Sequence, residues 1–425
     1  MNDAVKMTRL HQWHVQQGAN MARFGQYDMP LWYRAGAKNE HLAVITASGL
    51  FDTSHMSSIM VRGADARRLL QRCFSKDLHR CIGRQQEPLM AGRSVYGVFL
   101  AEKGDVIDDA IVFQIDDAAY LVVVNAGMGP EISAHLRSHS NSGGADISDL
   151  TDALGKLDLQ GPASAKILGR VLADPASVLT ELPYFSFTGH FDPASPLSDS
   201  VKLVDGTPIL LSRTGYTGEF GFEIFVEPEQ FTQVWERILA AGQDHGLLPC
   251  GLAARDSLRA GAVLPLSHQD IGPWPFIRNP WEFALPYTVD RSGFTKQFVG
   301  ADALLSQKDS PYTYPFAGSD LRKVTAQDPA SVFYSSGDAI GTVLTCATDM
   351  AIGRSDGNIF SIASPDKPAG FQPRGLCCGF VIVDRPLQPG TTVRLKDNRR
   401  SIEVEIVTDI RPARTARMAL AQFLT

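Results

Sequence analysis

At 425 residues the chain is too long for one ordinary hydrophobic core, so two or three domains are expected. Its 44% hydrophobic and 20% charged residues describe a soluble globular protein, and a formal net charge of -6 with no Lys/Arg run excludes a nucleic-acid surface. No apolar run approaches bilayer length and the N-terminus lacks a signal-type apolar core, so no membrane association and a cytoplasmic location are expected.

In chain order, Met7–Gln17 reads as a short helix, followed by FGQYDMPLWYR, an aromatic loop that either fills core or walls a ligand. A polar turn at Asp52–His55 precedes a strand at Ser57–Val61, and His55 reads as a satisfied structural histidine rather than a base. Ala64–Cys73 is an amphipathic helix by the spacing of Ala66, Leu69, Leu70 and Cys73. From Arg93 to Gly127 the pattern is antiparallel sheet, with turns at Glu102–Asp105 and Asp116–Ala118. Asp108 and Asp109 open the strand between these turns. Neighbouring strand residues face opposite sides, so only one of the two can enter a given cleft; the alternative is a solvated pair. Tyr96 and Asn125, on the flanking strands, can reach the same end of the sheet.

Residues 151 onward begin as a linker-like polar section, and LQGPASAKILGRVL then turns into a helix. Ser212–Ile224, SRTGYTGEFGFEI, joins a strand to a glycine-punctuated turn; Gly215, Gly218 and Gly221 permit positive φ or close backbone approach. Alternation beyond Gly221 aims Glu223 away from its apolar neighbours. It is then either a solvated hairpin glutamate or an enclosed carboxylate that needs donors. Pro228–Ala241 is a helix with an apolar stripe of Phe231, Val234, Trp235, Ile238 and Leu239, stopped by Gly242. Arg255 and Arg259 share a face of the next helix, poised either for an anion or, as favoured here, for local pairing with acids such as Asp256. Residues 265–312 are loop-rich, Asp309–Asp320 marks a domain boundary, and the last hundred residues read as an all-β module. The six cysteines include no CxxC and no partnering histidine cluster, so buried reduced thiols and no metal are expected; Cys377 and Cys378 fall in a core strand.

The segments FGQYDMPLWYR, EHLAV with GLFDTSHM, GDVIDDAIV, LVVVNA, QGP, GYTGEFGFEI, PCGLAARDSLR and QPGTTVRL follow one another over nearly the whole chain. In that combination the chain resembles the tetrahydrofolate-dependent aminomethyltransferases, the T-protein of the glycine cleavage system, with their demethylase and methylamine-oxidase relatives. The resemblance implies an α+β, three-domain fold of antiparallel sheets with flanking helices and a C-terminal all-β barrel or jelly-roll module, around a central folate channel. It implies a discontinuous folate-binding domain (1–56 and 151–310), a sheet domain carrying the catalytic aspartate (57–150) and a C-terminal domain (311–425). By the same resemblance tetrahydrofolate is the co-substrate and Asp109 the catalytic residue. Tyr96, Val123 and Asn125 match the folate wall, Tyr216 and Glu223 the aromatic and the pterin-binding carboxylate, and Arg255 the folate-site arginine. A pterin edge offering parallel N–H donors would then satisfy Glu223.

The chain departs from the T-protein pattern at TCATDMAIGRSDG and the following NIFSIASPDKPAGFQPRG, which looks like an insertion. It departs also at Met128–Glu131 and in the Trp-, Phe- and Pro-rich stretch HQDIGPWPFIRNPWEFALPY. An aromatic enclosure suits a small donor better than a lipoyl arm. The expectation is therefore a demethylase moving a methyl group from a small N-, O- or S-methylated compound to tetrahydrofolate. The alternative is a T-protein acting on an aminomethyl-lipoyl carrier protein, and a third is a non-catalytic folate-binding regulator. The flavin-linked relatives are excluded, because no GxGxxG follows an N-terminal strand and the chain has no length for that domain.

Overall fold

The computed structural model describes residues 5–140, 143–326 and 330–424. Two antiparallel-rich sheets packed against one another position everything that follows. The first has five strands in the order Arg93–Leu100, Val106–Asp116, Ala119–Val124, Ser57–Arg62 and Asp146–Asp149, each antiparallel to its neighbour. The second has six, Phe187–Gly189, Leu210–Ser212, Gly221–Val226, Gly155–Gln160, Ser48–Asp52 and Leu247–Pro249, of which only the last pair is parallel.

Side-chain alternation explains the layering. In the first sheet Ile59, Val61, Tyr120, Val122 and Val124 pack under the helices Ala66–Cys73 and Gly129–His139. Their neighbours Met60, Leu121 and Val123 point the other way, where they meet Phe225 and Leu210 of the second sheet. In that second sheet Leu157, Leu159, Phe222 and Ile224 face the helix Phe231–Gly242. Strands with both faces covered therefore read as continuous apolar runs such as AYLVVV.

The C-terminal residues close a six-stranded barrel: Tyr312–Gly318, Leu376–Val383, Ala339–Asp349, Ser331–Phe333, Thr392–Lys396 and Ser401–Ile406. Its core holds Phe316, Val332, Val381 and Val404, and Cys377 and Cys378 lie buried on one of its strands, as the sequence predicts. The expected insertion begins as a separate hairpin, Ile352–Ser355 with Asn358–Ser361. Arg411, fully buried, joins the barrel to the second sheet: Nη1 lies 2.5 Å from Asp349 and Nε 3.1 Å from Glu219. Among the described residues no helix is long and apolar enough to cross a membrane.

Four local expectations change. The first helix spans only His11–Gln16, because Lys6–Met7 pairs with Tyr27–Asp28 and Thr8 donates to Asp52 at 2.8 Å. The aromatic loop is a hairpin of Asn20–Phe24 with Tyr27–Trp32, turned at Gly25; Pro30 is tolerated because its second edge carries no strand beyond Asp28. The helix after Pro228 runs past its expected stop: Gly242 keeps a helical φ, and the left-handed residue is Gly246, φ 70°. The linker-like section contains Gly155–Gln160, a wholly buried central strand. Its polar residues Lys156, Asp158 and Gln160 alternate with Leu157 and Leu159, a pattern that belongs to an enclosed polar site as readily as to a solvated edge.

Candidate active site

Where the two sheets part, their facing sides open into a cavity of about 1000 Å³. Its wall includes all seven residues to which the resemblance gives a role: Tyr96, Asp109, Val123, Asn125, Tyr216, Glu223 and Arg255. On the first sheet the register Tyr96↔Ile111↔Val123 runs straight across three strands, so Tyr96, Asp109, Ile111, Val123 and Asn125 share one face by the period of two.

Asp109 is oriented from two sides. Tyr96 Oη donates to its Oδ2 at 2.9 Å, and Asn125 Nδ2 to its Oδ1 at 2.6 Å. Asp108, on the opposite face and fully buried, does not line the cavity; it accepts from Asn125 N and Nδ2, both at 2.8 Å, and from Ser267 Oγ at 2.6 Å. Burial raises both carboxyls above the usual range, and for Asp109 the neighbouring Asp108 charge raises it further. Two adjacent carboxylates in a poorly solvated site cannot both ionise cheaply, so this pair holds a proton to higher pH than a free aspartate.

The second sheet supplies a chain of alternating charges. Lys156 Nζ lies 2.6 Å from Glu223 Oε1 and 2.6 Å from Asp158 Oδ1, and Arg255 Nη1 lies 2.7 Å from Asp158 Oδ2. Burial would raise Asp158, but Lys156 and Arg255 overcome it and hold the carboxyl down at about 2. Thr214 Oγ1 donates to the other Glu223 oxygen. Glu223 is thus neither a solvated hairpin residue nor short of donors: Lys156 and Thr214 already satisfy it, although each carboxylate oxygen has a further lone pair for a ligand. Arg255 also lies over the Tyr216 ring, 4.9 Å from its centroid, while the Tyr216 hydroxyl donates to the Pro265 carbonyl.

Local pairing holds for Arg259, which reaches Asp256 at 2.7 Å and also Asp270, deep in the core; Arg255, on the same helix, Leu252–Gly261, instead reaches Asp158 of the second sheet. The motif glycines serve packing more than ligand approach. A Cβ on Gly215 would fall 2.1 Å from Gln160 Oε1, one on Gly221 2.6 Å from the Leu159 carbonyl, and only Gly218 has a positive φ, 78°. His55 lines the cavity as a buried neutral imidazole, pushed down to about 4 by burial, with Nδ1 lacking a partner among the described residues. It is therefore structural in its packing against Phe24 and Tyr27 but not satisfied as expected.

Lys156, Thr214 and Ser267 were not singled out in the sequence; the K-x-D-x-Q alternation was the signal for the first. The aromatic stretch resolves mostly into core. Phe276, Trp281 and Leu285 are buried against Val98 and Phe380, and of these aromatics only Phe283 reaches the cavity, its ring 5.8 Å from that of Tyr96.

The profile of the GCVT N-terminal domain family matches residues 10–292. An aminomethyltransferase of Symbiobacterium thermophilum is 37% identical over 353 residues, 81% of this chain and 86% of that protein. One of Geobacillus kaustophilus is 34% identical over 341 residues, covering 80% and 86%. The crystal structure of the glycine cleavage system aminomethyltransferase T from Bartonella henselae superposes with a TM-score of 0.73 at 27% identity, over 95% of this chain and 97% of that one. The similarity bears out the resemblance carried by the motifs and the barrel-bearing α+β fold: the chain belongs to the GCVT family of aminomethyltransferases.

Proposed function

We propose that this protein is a tetrahydrofolate-dependent aminomethyltransferase that takes an aminomethyl group from the sulfur of a lipoyl arm on a carrier protein. The products are methylene-tetrahydrofolate, ammonia and the free lipoyl thiol. The two folate N–H protons balance the reaction, one on the thiol and one on the ammonia.

The residues fit a reduced folate. Glu223 keeps acceptor lone pairs toward the cavity, as a pterin edge requires, and Tyr216 with Val123 offers flat apolar wall. Arg255, with Lys38, Lys323 and Arg417 elsewhere on the wall, supplies cations for an anionic tail. Tetrahydrofolate, when bound, provides the nitrogen nucleophile for the one-carbon unit.

Asp109 is the proposed catalytic group. Fixed by Tyr96 and Asn125 and raised by burial and by Asp108, it holds or accepts a proton near the reacting nitrogens and offsets positive charge that develops there. The observation that carries the reading is the meeting of Asp109 and Glu223 on one cavity wall in a chain 37% identical to an aminomethyltransferase. A carrier-borne donor is favoured over the small methylated donor because the expected aromatic enclosure is largely core.

Single-turnover mass spectrometry of the folate tests this. The donors are aminomethyl-lipoyl carrier protein and a panel of methylated amines, methoxyaromatics and methylsulfonium compounds. Methylene-tetrahydrofolate and ammonia with the carrier alone are expected; 5-methyltetrahydrofolate with a small compound would make the protein a demethylase. Folate bound without turnover of any donor would make it a binding protein.

A further inference from the structure

On the helix-covered side of the first sheet, away from the folate cavity, the last residues of two helices converge. Cys73 ends Ala66–Cys73, and His135 and His139 occupy the last turns of Gly129–His139. We propose that Cys73, His135 and His139 form a structural zinc site, with Glu102 as the fourth ligand.

The ligand atoms of the three lie within 4.8 Å of one another. The i, i+4 spacing places both imidazoles on one helix face, with ring centroids 4.7 Å apart. Their nitrogens are set for coordination. His139 Nδ1 lies 2.9 Å from the His135 carbonyl, which only accepts, and 3.1 Å from the Ser138 hydroxyl; with its proton given to the carbonyl, the Nε2 lone pair is free. That arrangement is the support a metal-bound histidine ordinarily has. His135 Nε2 is buried and has no hydrogen-bond partner among the described residues, so a metal there would satisfy it.

The cluster lies at the C-terminal ends of both helices, where the macrodipole is negative, and Lys296 Nζ already caps the first helix at the Gln71 and Phe74 carbonyls, 2.6 and 2.5 Å away. Glu102, largely exposed on the turn before the Asp109 strand, already brings Oε1 to 3.6 Å from His139 Nε2. Cys73 is fully buried among apolar side chains. On binding, zinc displaces the thiol proton to solvent, and thiolate plus carboxylate then neutralise the dication. Two imidazoles, a thiolate and a carboxylate make a tetrahedral set that suits Zn²⁺ and not Mg²⁺ or Ca²⁺. The sequence offered no such pattern because Cys73 and His135 stand far apart in the chain.

The full-length protein is prepared with zinc and again with cobalt, its metal content is measured, and its melting is followed with and without zinc. One zinc per chain, a thiolate-to-cobalt charge-transfer band and a Tm raised by about 4 °C or more are expected. His139→Gln should weaken zinc binding by about 100-fold or more with folate affinity unchanged. Substoichiometric zinc, a cobalt spectrum without the thiolate band, or His139→Gln binding zinc like the parent would each overturn the proposal. If Cys73→Ser does not fold, the cobalt band of the parent chain and His139→Gln still decide.

Discussion

Lys156 and Glu223 form a diagonal pair across adjacent strands of the second sheet, Nζ 2.6 Å from Oε1, and the same ammonium holds Asp158 at 2.6 Å. The carboxylate proposed to face the pterin is therefore anchored before any ligand arrives. It presents a fixed acceptor and needs no rescue by the ligand.

Glu223→Gln keeps the shape of the side chain but replaces one acceptor oxygen by a donor and removes the charge. Tetrahydrofolate affinity, measured by calorimetry, should fall about 10- to 100-fold, the worth of a charge-assisted contact. Unaltered affinity would reject the pterin role. Folding should survive, because Lys156 retains Asp158.

Lys156→Met strips the shared cation from two buried carboxylates and leaves Asp158 to Arg255 and the Thr53 hydroxyl. Loss of one partner from a buried ion pair costs roughly 3–5 kcal/mol, and urea denaturation should show a loss of that size. A change under about 1 kcal/mol would mean that the Glu223–Lys156–Asp158 chain is not the buried network described here.

Asp109→Asn preserves the hydrogen-bonded shape but cannot take a proton. Turnover should drop by about 10²- to 10⁴-fold, the usual worth of a positioned acid or base, while the folate Kd stays within a few-fold. Undiminished turnover would remove Asp109 from the mechanism. Tyr96→Phe, which frees Oδ2, should lower kcat less than Asp109→Asn does.

The chain announced the first sheet and its site most clearly, because Tyr96, Asp109, Val123 and Asn125 sit on strands whose alternation is regular and whose turns carry Gly104 and Asp116. The family motifs then named Glu223 and Arg255. Lys156 and Asp158 stayed hidden because a polar-apolar alternation does not tell which medium its polar face meets; only the opposing sheet makes that face an interior. The aromatic stretch 274–287 stayed open between a donor pocket and core packing. Its composition suited a ligand pocket, but Trp281 packs edge-on to Phe380 of the barrel, a contact between residues 99 positions apart that local pattern cannot foresee.

Gly261 tests the junction between barrel and sheets. A Cβ there would fall 1.9 Å from Asp349 Oδ2 and 2.7 Å from Arg411 Nη1, inside the buried Arg411–Asp349 pair. Gly261→Ala should lower stability by roughly 3 kcal/mol or more, since the side chains cannot move apart without leaving charges unpaired. A melting temperature equal to the parent's would show that the junction yields.

The Asp108–Asp109 pair predicts a direction of pH dependence. Both carboxyls are raised by burial, Asp109 further by its neighbour, so between the ordinary value of 3.8 and the elevated folded values the native state binds more protons than the unfolded one. Stability must then fall as pH rises through that window: the pair's contribution is complete below the ordinary value and lost above the folded ones. Asp109→Asn removes the coupled proton and should flatten this part of the curve, leaving the variant relatively more stable than the parent near neutrality. Urea midpoints at a series of pH values for both proteins measure the difference. A stability gap independent of pH across the window would mean that the two aspartates titrate as free carboxyls, and the proton-holding role proposed for Asp109 would fall with it.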